Sequence, residues 1–247
     1  MKNSDKLKRY SMFIAGVIFS ALGISLITKA GLGTSPITSL AFVLTFIFPH
    51  SLGEFTMLVN TVMFLIQAAL LGKAFGKIQL LQLPAALLFS ACIDGWMYIL
   101  GFWKTGSYVG QVLMLLLGCV FLGLGIAFEV IPNVLILPGE GLVRVIAGLT
   151  GWRFGLVKTG FDMSIVASAV GVSLFFTGHV LGIREGTVLA ALIVMQGMGV
   201  SAFGLNCSSG PDGMLEQLRR LTPYAQVPLI AKPNAGLPHM EDGRTVY

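Results

Sequence analysis

The sequence predicts an all-α polytopic membrane protein of about six spans, arranged as two inverted three-span repeats and followed by a short β-α-β-like C-terminal fragment. Three observations carry that expectation. Of 247 residues, 55% are hydrophobic and only 11% charged, where soluble domains carry about 25% charged residues; the mean hydropathy is +0.85. The apolar runs are interrupted twice by a proline followed by a segment too short to cross a bilayer. The two prolines, Pro36 and Pro138, lie 102 residues apart, an offset that relates other positions as well.

Residues 1–10 form a basic N-terminus, and span one covers residues 11–28. The run is long and Lys29-Ala-Gly-Leu-Gly is a poor cleavage site, so an uncleaved span is expected rather than a signal peptide. Gly31-Leu-Gly-Thr-Ser-Pro36 then breaks the helix. Gly31 and Gly33 loosen the backbone, Pro36 removes a donor, and Ser35 is pushed out of the α region. The apolar segment 37–48 rises only about 18 Å as a helix, against a hydrocarbon core of about 30 Å. Span two covers 55–71 and contains Asn60; span three covers 80–100 and contains Pro84 and Asp94; span four covers 108–128 and ends at Glu129. The second break ends in Leu137-Pro138-Gly139, and a short segment 139–149 carries Glu140 and Arg144. Span five covers 157–176 with Asp162 inside it, and span six runs from about Thr187 to about Leu205.

At the 102-residue offset Gly16 meets Gly118, Phe19 meets Phe121, and Leu22-Gly23-Ile24 meets Leu124-Gly125-Ile126. Leu40 meets Leu142, Gly53 meets Gly155, and Asn60 meets Asp162. The repeat units are about 11–101 and 108–194. Three spans per unit reverse the second relative to the first, which makes an inverted repeat. With the N-terminus in the cytoplasm, nine basic residues fall inside (Lys2, Lys6, Lys8, Arg9, Lys73, Lys77, Arg144, Arg153, Lys158) and three outside (Lys29, Lys104, Arg184), as the positive-inside rule requires. The C-terminus then lies in the cytoplasm too.

A carboxylate near the centre of a span costs roughly 2.5–3.5 kcal/mol on insertion scales. Asn60, Asp94, Glu140 and Asp162 are therefore candidates for a substrate or ion path between the repeats, with bonds to neighbouring helices as the structural alternative. The breaks at Gly31, Gly33, Thr34, Ser35 and Pro36, and at Pro138 and Gly139, are candidates for half-helix ends that offer free N–H groups; Ser35 also reads as a plain N-cap. Cys92 and Cys119 lie in apolar runs and read as small buried hydrophobes, with no CxxC pair, disulfide framework or zinc cluster. The net charge of +5 is thinly spread, which argues against nucleic acid; the partners expected are the lipid bilayer and an unknown small molecule or ion.

Gly31-Leu-Gly-Thr-Ser-Pro36, Leu137-Pro-Gly-Glu-Gly-Leu142, residues 158–162 and Gly182-Ile-Arg-Glu-Gly-Thr187 together resemble the YczE/YyaS/YitT-like bacterial membrane proteins over about residues 8–194. The resemblance implies a multi-pass protein of the bacterial inner membrane. It supplies no catalytic residues and no defined activity.

From about residue 195 the composition changes. Residues 199–211 read as a strand and a polar turn, 212–221 as an amphipathic helix, and 227–232 as a second strand. Asn206-Cys-Ser-Ser-Gly-Pro211, Pro233-Asn-Ala-Gly-Leu-Pro238 and Asp242-Gly-Arg-Thr-Val-Tyr247 look like the homocysteine-binding domain of methionine synthases and homocysteine S-methyltransferases, over about 50 residues. That resemblance implies a (β/α)8 barrel with a three-cysteine zinc site, of which Cys207 matches the first ligand. The two later cysteines have no counterpart before Tyr247, and one thiolate makes no zinc site. No cofactor is expected, and zinc only where another chain completes the set.

The junction near Val194 reads as a fusion of two gene fragments, with span six either truncated or continued through strand sequence. Three functions are consistent with these readings: a transporter-like membrane protein, a membrane-anchored relative of the methyltransferases with an incomplete and inactive tail, and a non-enzymatic membrane scaffold.

Overall fold

The computed structural model describes residues 3–103 and 106–197, and beyond them 203–206, 215, 218–219, 222, 229–232, 239–241 and 244–246. The chain divides into two compact units, residues 1–194 and 195–247.

The first unit is helical. α1 (Asn3–Lys29) starts inside the basic N-terminus and ends where the Gly31 break was read. A 3-10 turn Pro36–Thr38 leads into the short α2 (Ser39–Ile47). α3 (Leu52–Leu71) starts at a capping box in which the Ser51 hydroxyl accepts from the Glu54 N–H and the Glu54 carboxylate accepts from the Ser51 N–H. α4 (Gln82–Ile99) follows the 3-10 segment Lys77–Leu81, so Pro84 sits harmlessly in its first turn. α5 (Tyr108–Val130), α6 (Pro138–Thr150), α7 (Phe154–Thr177) and α8 (Glu185–Gly197) complete the order.

Among the described residues, five helices are long and apolar enough to cross a membrane: 6–29, 52–74, 77–102, 108–130 and 154–177. Their outer faces carry exposed Leu58, Leu65, Leu87, Leu113, Val120 and Phe175, the apolar surface that lipid contact requires. Span six differs from expectation. Its helix is described only as far as Gly197, and Phe203–Asn206 is a strand rather than its continuation. Glycines at 197, 199 and 204 make this stretch a poor helix former.

α1 is the centre of the unit, with Val17, Ala21 and Ile27 fully buried. It packs antiparallel to α5 at very short range. A Cβ on Gly23 would fall 2.4 Å from the Leu122 nitrogen and one on Gly125 2.4 Å from the Ser20 nitrogen, while Gly16 faces Gly125 and Gly118 faces Gly23. Small residues at such positions let membrane helices approach backbone to backbone. Around this pair, α2 packs on α7 and α6 on α3.

The elements recur at the sequence offset. Ser35 and Leu137, each preceding a proline, are both extended (φ −67, ψ 150 and φ −62, ψ 153). Gly31 has φ 73, and its counterpart Asn133, with φ 47, is the one non-glycine residue of positive φ among the described residues.

In the second unit β1 (Phe203–Asn206) pairs in parallel with β2 (Leu229–Lys232), and Leu215, Leu218 and Arg219 between them are helical. Parallel neighbours need a crossover, which a β-α-β pattern supplies. β3 (His239–Glu241) and β4 (Arg244–Val246) form an antiparallel hairpin that the sequence pattern did not announce.

Candidate functional site: a buried polar cavity

A cavity of about 60 Å3 lies inside the helical unit, room for several waters or a small solute. Its apolar wall includes Ile24, Phe89, Leu122 and Ile126, and its polar wall Ser20, Ser35, Thr38, Thr56, Asn60, Glu129, Glu140, Lys158 and Asp162. The first turns after both prolines contribute to it, through Ser35, Pro36 and Thr38 on one side and Leu137 and Glu140 on the other. A helix N-terminus carries about half a positive charge, so both ends favour negative groups nearby.

Those negative groups belong to the protein itself. Lys158 Nζ lies 2.6 Å from Asp162 Oδ1 and 4.0 Å from Glu140 Oε1. Lys158 and Asp162 stand one turn apart on α7, both buried, a spacing that suits an intrahelical pair. Glu129, buried near the end of α5, accepts a 2.6 Å hydrogen bond from the Ser20 hydroxyl on α1. Asn60, also in the cavity wall, donates its side-chain N–H to the Thr56 carbonyl at 3.0 Å. Among the described residues, no three of His, Cys, Asp or Glu are grouped to hold a metal ion.

A chain of buried hydroxyls runs from the first break into the cavity wall. Thr28 Oγ1 and Thr34 Oγ1 are 2.9 Å apart, Thr34 and Thr38 Oγ1 3.1 Å, and Thr38 Oγ1 and Ser35 Oγ 2.8 Å. The Thr34 N–H donates to Thr187 Oγ1 at 3.2 Å, and Arg184 Nη1 donates to the Gly31 carbonyl at 3.0 Å. Ser35 makes no side-chain cap; its hydroxyl is spent on Thr38 instead.

Of the residues the sequence singled out, Asn60, Glu140 and Asp162 line the cavity with Ser35 and Pro36. Thr34, Gly31, Gly33, Pro138 and Gly139 shape the breaks behind it. Asp94 is a correction. Its carboxylate accepts from Ser51 Oγ at 2.6 Å and from the Gly53 N–H at 2.8 Å, so it ties α4 to the first turn of α3 and does not reach the cavity. Lys158 is a second correction. Counted as a loop charge, it is instead buried inside α7, and removing it from the nine leaves eight basic residues against three.

Glu129 and Ser20 were missed. Glu129 read as the end of a span because helix ends tolerate charge, although its counterpart at the offset, Ile27, is a fully buried position. Cys207 lies outside the described residues. Cys119 is buried and Cys92 partly so, both as free thiols.

This arrangement defines a polytopic helical membrane protein with a cavity whose wall carries buried ionic and hydroxyl side chains. Residues 7–203 match a family of unknown function, DUF6198, and the chain belongs to that family. It is 28% identical over 186 residues to the uncharacterized membrane protein YczE of Bacillus subtilis, covering 75% of this chain and 81% of that one. It is 29% identical over 146 residues to the uncharacterized protein YyaS of the same organism, covering 58% and 70%.

A separate likeness is to the methionine synthase of Mycobacterium tuberculosis, 35% identical over 99 residues, which is 40% of this chain and 8% of that enzyme. The chain thus spans under a tenth of the methionine synthase it matches. That match is longer than the C-terminal unit and so reaches into residues before 195, beyond the roughly 50 residues its motifs suggested. No solved structure matches the chain.

Proposed function

We propose that residues 1–194 form a transporter-like unit of the bacterial inner membrane, in which two inverted three-span halves enclose a site for a small molecule or ion. The observation that carries this reading is the pairing of the cavity wall. Ser20 and Leu122, Ile24 and Ile126, Ser35 and Leu137, Thr38 and Glu140, Thr56 and Lys158, Asn60 and Asp162, and Phe89 and Ala191 all line it, each pair 102 residues apart. A wall to which two halves contribute at matching positions is what a site on a pseudo-two-fold axis needs.

The reciprocal packing of α2 on α7 and α6 on α3 supports the same symmetry. So do the paired contacts of Gly16 with Gly125 and Gly23 with Gly118. The distribution of basic residues favours cytoplasmic termini.

In this site Lys158, Asp162 and Glu140 hold an ionic network that can rearrange when an occupant arrives, and the two proline breaks supply rigid half-helix ends around it. The test is uptake into proteoliposomes of purified protein. Asp162→Asn is expected to abolish uptake of the transported solute, and unchanged uptake would remove Asp162 from the mechanism.

A second reading rests on the methionine synthase match: a membrane-anchored relative of zinc-dependent homocysteine methyltransferases. With Cys207 as its single matching ligand, the full chain is expected to carry no stoichiometric zinc on elemental analysis and to transfer no methyl group to homocysteine. Zinc bound one to one would reverse that expectation.

A further inference from the structure

Next to the cavity lies a group of side chains that its wall does not use. Gln67 on α3 and Gln82 at the start of α4 are 2% and 4% exposed, and the Oε1 atom of each is buried without a hydrogen-bond partner. Both side chains converge on Gly141, the residue after Glu140. A Cβ at Gly141 would fall 2.7 Å from Gln67 Oε1 and 3.4 Å from Gln82 Nε2. Gln67 stands one turn beyond Met63, which lines the cavity. Gln79, half-buried in the preceding 3-10 segment, also leaves its Oε1 unpartnered; side chains three apart eclipse in such a turn, which sets Gln79 on the side of Gln82. Two unsatisfied acceptors thus lie about Gly141, with a third in the segment that precedes α4.

The charge balance points the same way. Glu129, Glu140 and Asp162 face one ammonium, Lys158. The N-termini of α2 and α6 offset about one further charge. When ionised, the cluster thus keeps about one negative charge uncompensated, and the place a half-helix end offers an anion is already taken by the protein's own carboxylates.

Resting on the transport reading of the cavity, we infer that its ligand is a small monovalent cation carrying N–H donors, of the ammonium or primary-amine class, and that Gln67 and Gln82 form a second station for it beside Gly141. Orphan carbonyls accept N–H groups, and the carboxylate cluster, once all three members are ionised, has room for one more positive charge. A bare alkali ion meets the charge but needs no such donor geometry. An anion meets neither condition.

The experiment measures thermal stabilisation of the detergent-solubilised protein by methylammonium, potassium and sodium chlorides and by sodium acetate at constant ionic strength. Methylammonium is expected to raise the unfolding midpoint saturably, well above the other salts. The double variant Q67L/Q82L removes both orphan oxygens and is expected to fold normally while binding methylammonium about ten- to a hundredfold more weakly, the loss of hydrogen bonds to a charged group. Gly141→Ala is expected to weaken binding in the same direction by displacing Gln67.

Stabilisation by acetate rather than methylammonium, equal stabilisation by potassium, or unaltered methylammonium affinity in Q67L/Q82L would each overturn the inference. Flux assays separate it from the reading beneath it. Asp162-dependent uptake of an anion or a neutral solute would leave transport standing and remove the cation class. Gln-dependent methylammonium binding with no flux would do the reverse.

Discussion

Lys158 Nζ and Asp162 Oδ1 lie 2.6 Å apart, one turn along α7, with both side chains buried. Such a pair is asymmetric under mutation. Removing one member leaves a buried charge without its partner and costs about 3–5 kcal/mol, whereas replacing both by apolar residues of similar volume is close to neutral or stabilising. Lys158→Met and Asp162→Leu singly are expected to lower the thermal midpoint in detergent, and K158M/D162L to recover most of the loss. The double-mutant cycle reads the coupling directly. Additive losses would mean the two charges are screened by water in the cavity rather than by each other.

Asp94 is expected to behave differently from Asp162. Its carboxylate holds Ser51 Oγ and the Gly53 N–H at the head of α3, and loss of a capping carboxylate costs about 0.5–2 kcal/mol. Asp94→Ala should lower stability by that order, while Asp94→Asn, which keeps one acceptor, should lower it less. Uptake per folded molecule should stay unchanged in both. A loss of flux in well-folded Asp94→Asn would return this residue to the pathway.

The α1–α5 contact gives a prediction about packing. Gly23 sits so close to α5 that an added Cβ would come within 2.4 Å of the Leu122 nitrogen and 2.7 Å of the Gly118 carbonyl. These are backbone atoms, which cannot step aside as a side chain can. Gly23→Ala is expected to cost about 1–3 kcal/mol, the usual range for overpacking. Gly123 on α5 has open space at its Cβ position and should accept alanine without loss. Equal midpoints for the two variants would contradict the packing described.

Much of this fold was legible because bilayer physics writes in long words. Apolar runs, two prolines and one recurring offset located the breaks and four of the long helices to within about three residues, whereas α1 starts at Asn3, well inside the stretch read as a basic N-terminus. The side-chain partners were not legible. Asp94 and Asp162 look alike in sequence, each a lone carboxylate in an apolar run, and only the fold brings Ser51 and Gly53 to one and Lys158 to the other. Lys158 itself was misread because a basic residue near a span end is ordinarily a loop charge. Glu129 was misread because a terminal Glu ordinarily reaches water, and nothing in the local pattern announces Ser20, 109 positions away. Gln67 and Gln82 carry no sequence signal at all, being uncharged residues near span ends, and become visible only as buried oxygens without donors.

Gly33, in the first break, gives the last prediction. It has φ +121, a region side chains rarely adopt, and a Cβ there would fall 2.3 Å from Thr187 Oγ1. Thr187 is also the acceptor for the Thr34 N–H, and Thr34 continues the hydroxyl chain to Thr38 at the cavity wall. Gly33→Ala therefore combines backbone strain of about 1–3 kcal/mol with displacement of a buried hydrogen bond. The two contributions can be separated. Thr187→Ala in the Gly33→Ala background removes the colliding oxygen but leaves the strain, so it is expected to restore only part of the thermal midpoint. Thr187→Ala alone is expected to cost less than Gly33→Ala. Full rescue by the second change would assign the whole effect to the collision, and an unaltered midpoint in Gly33→Ala would show that the first break adopts another backbone path than the one that orders Thr34, Ser35 and Thr38 beside the cavity.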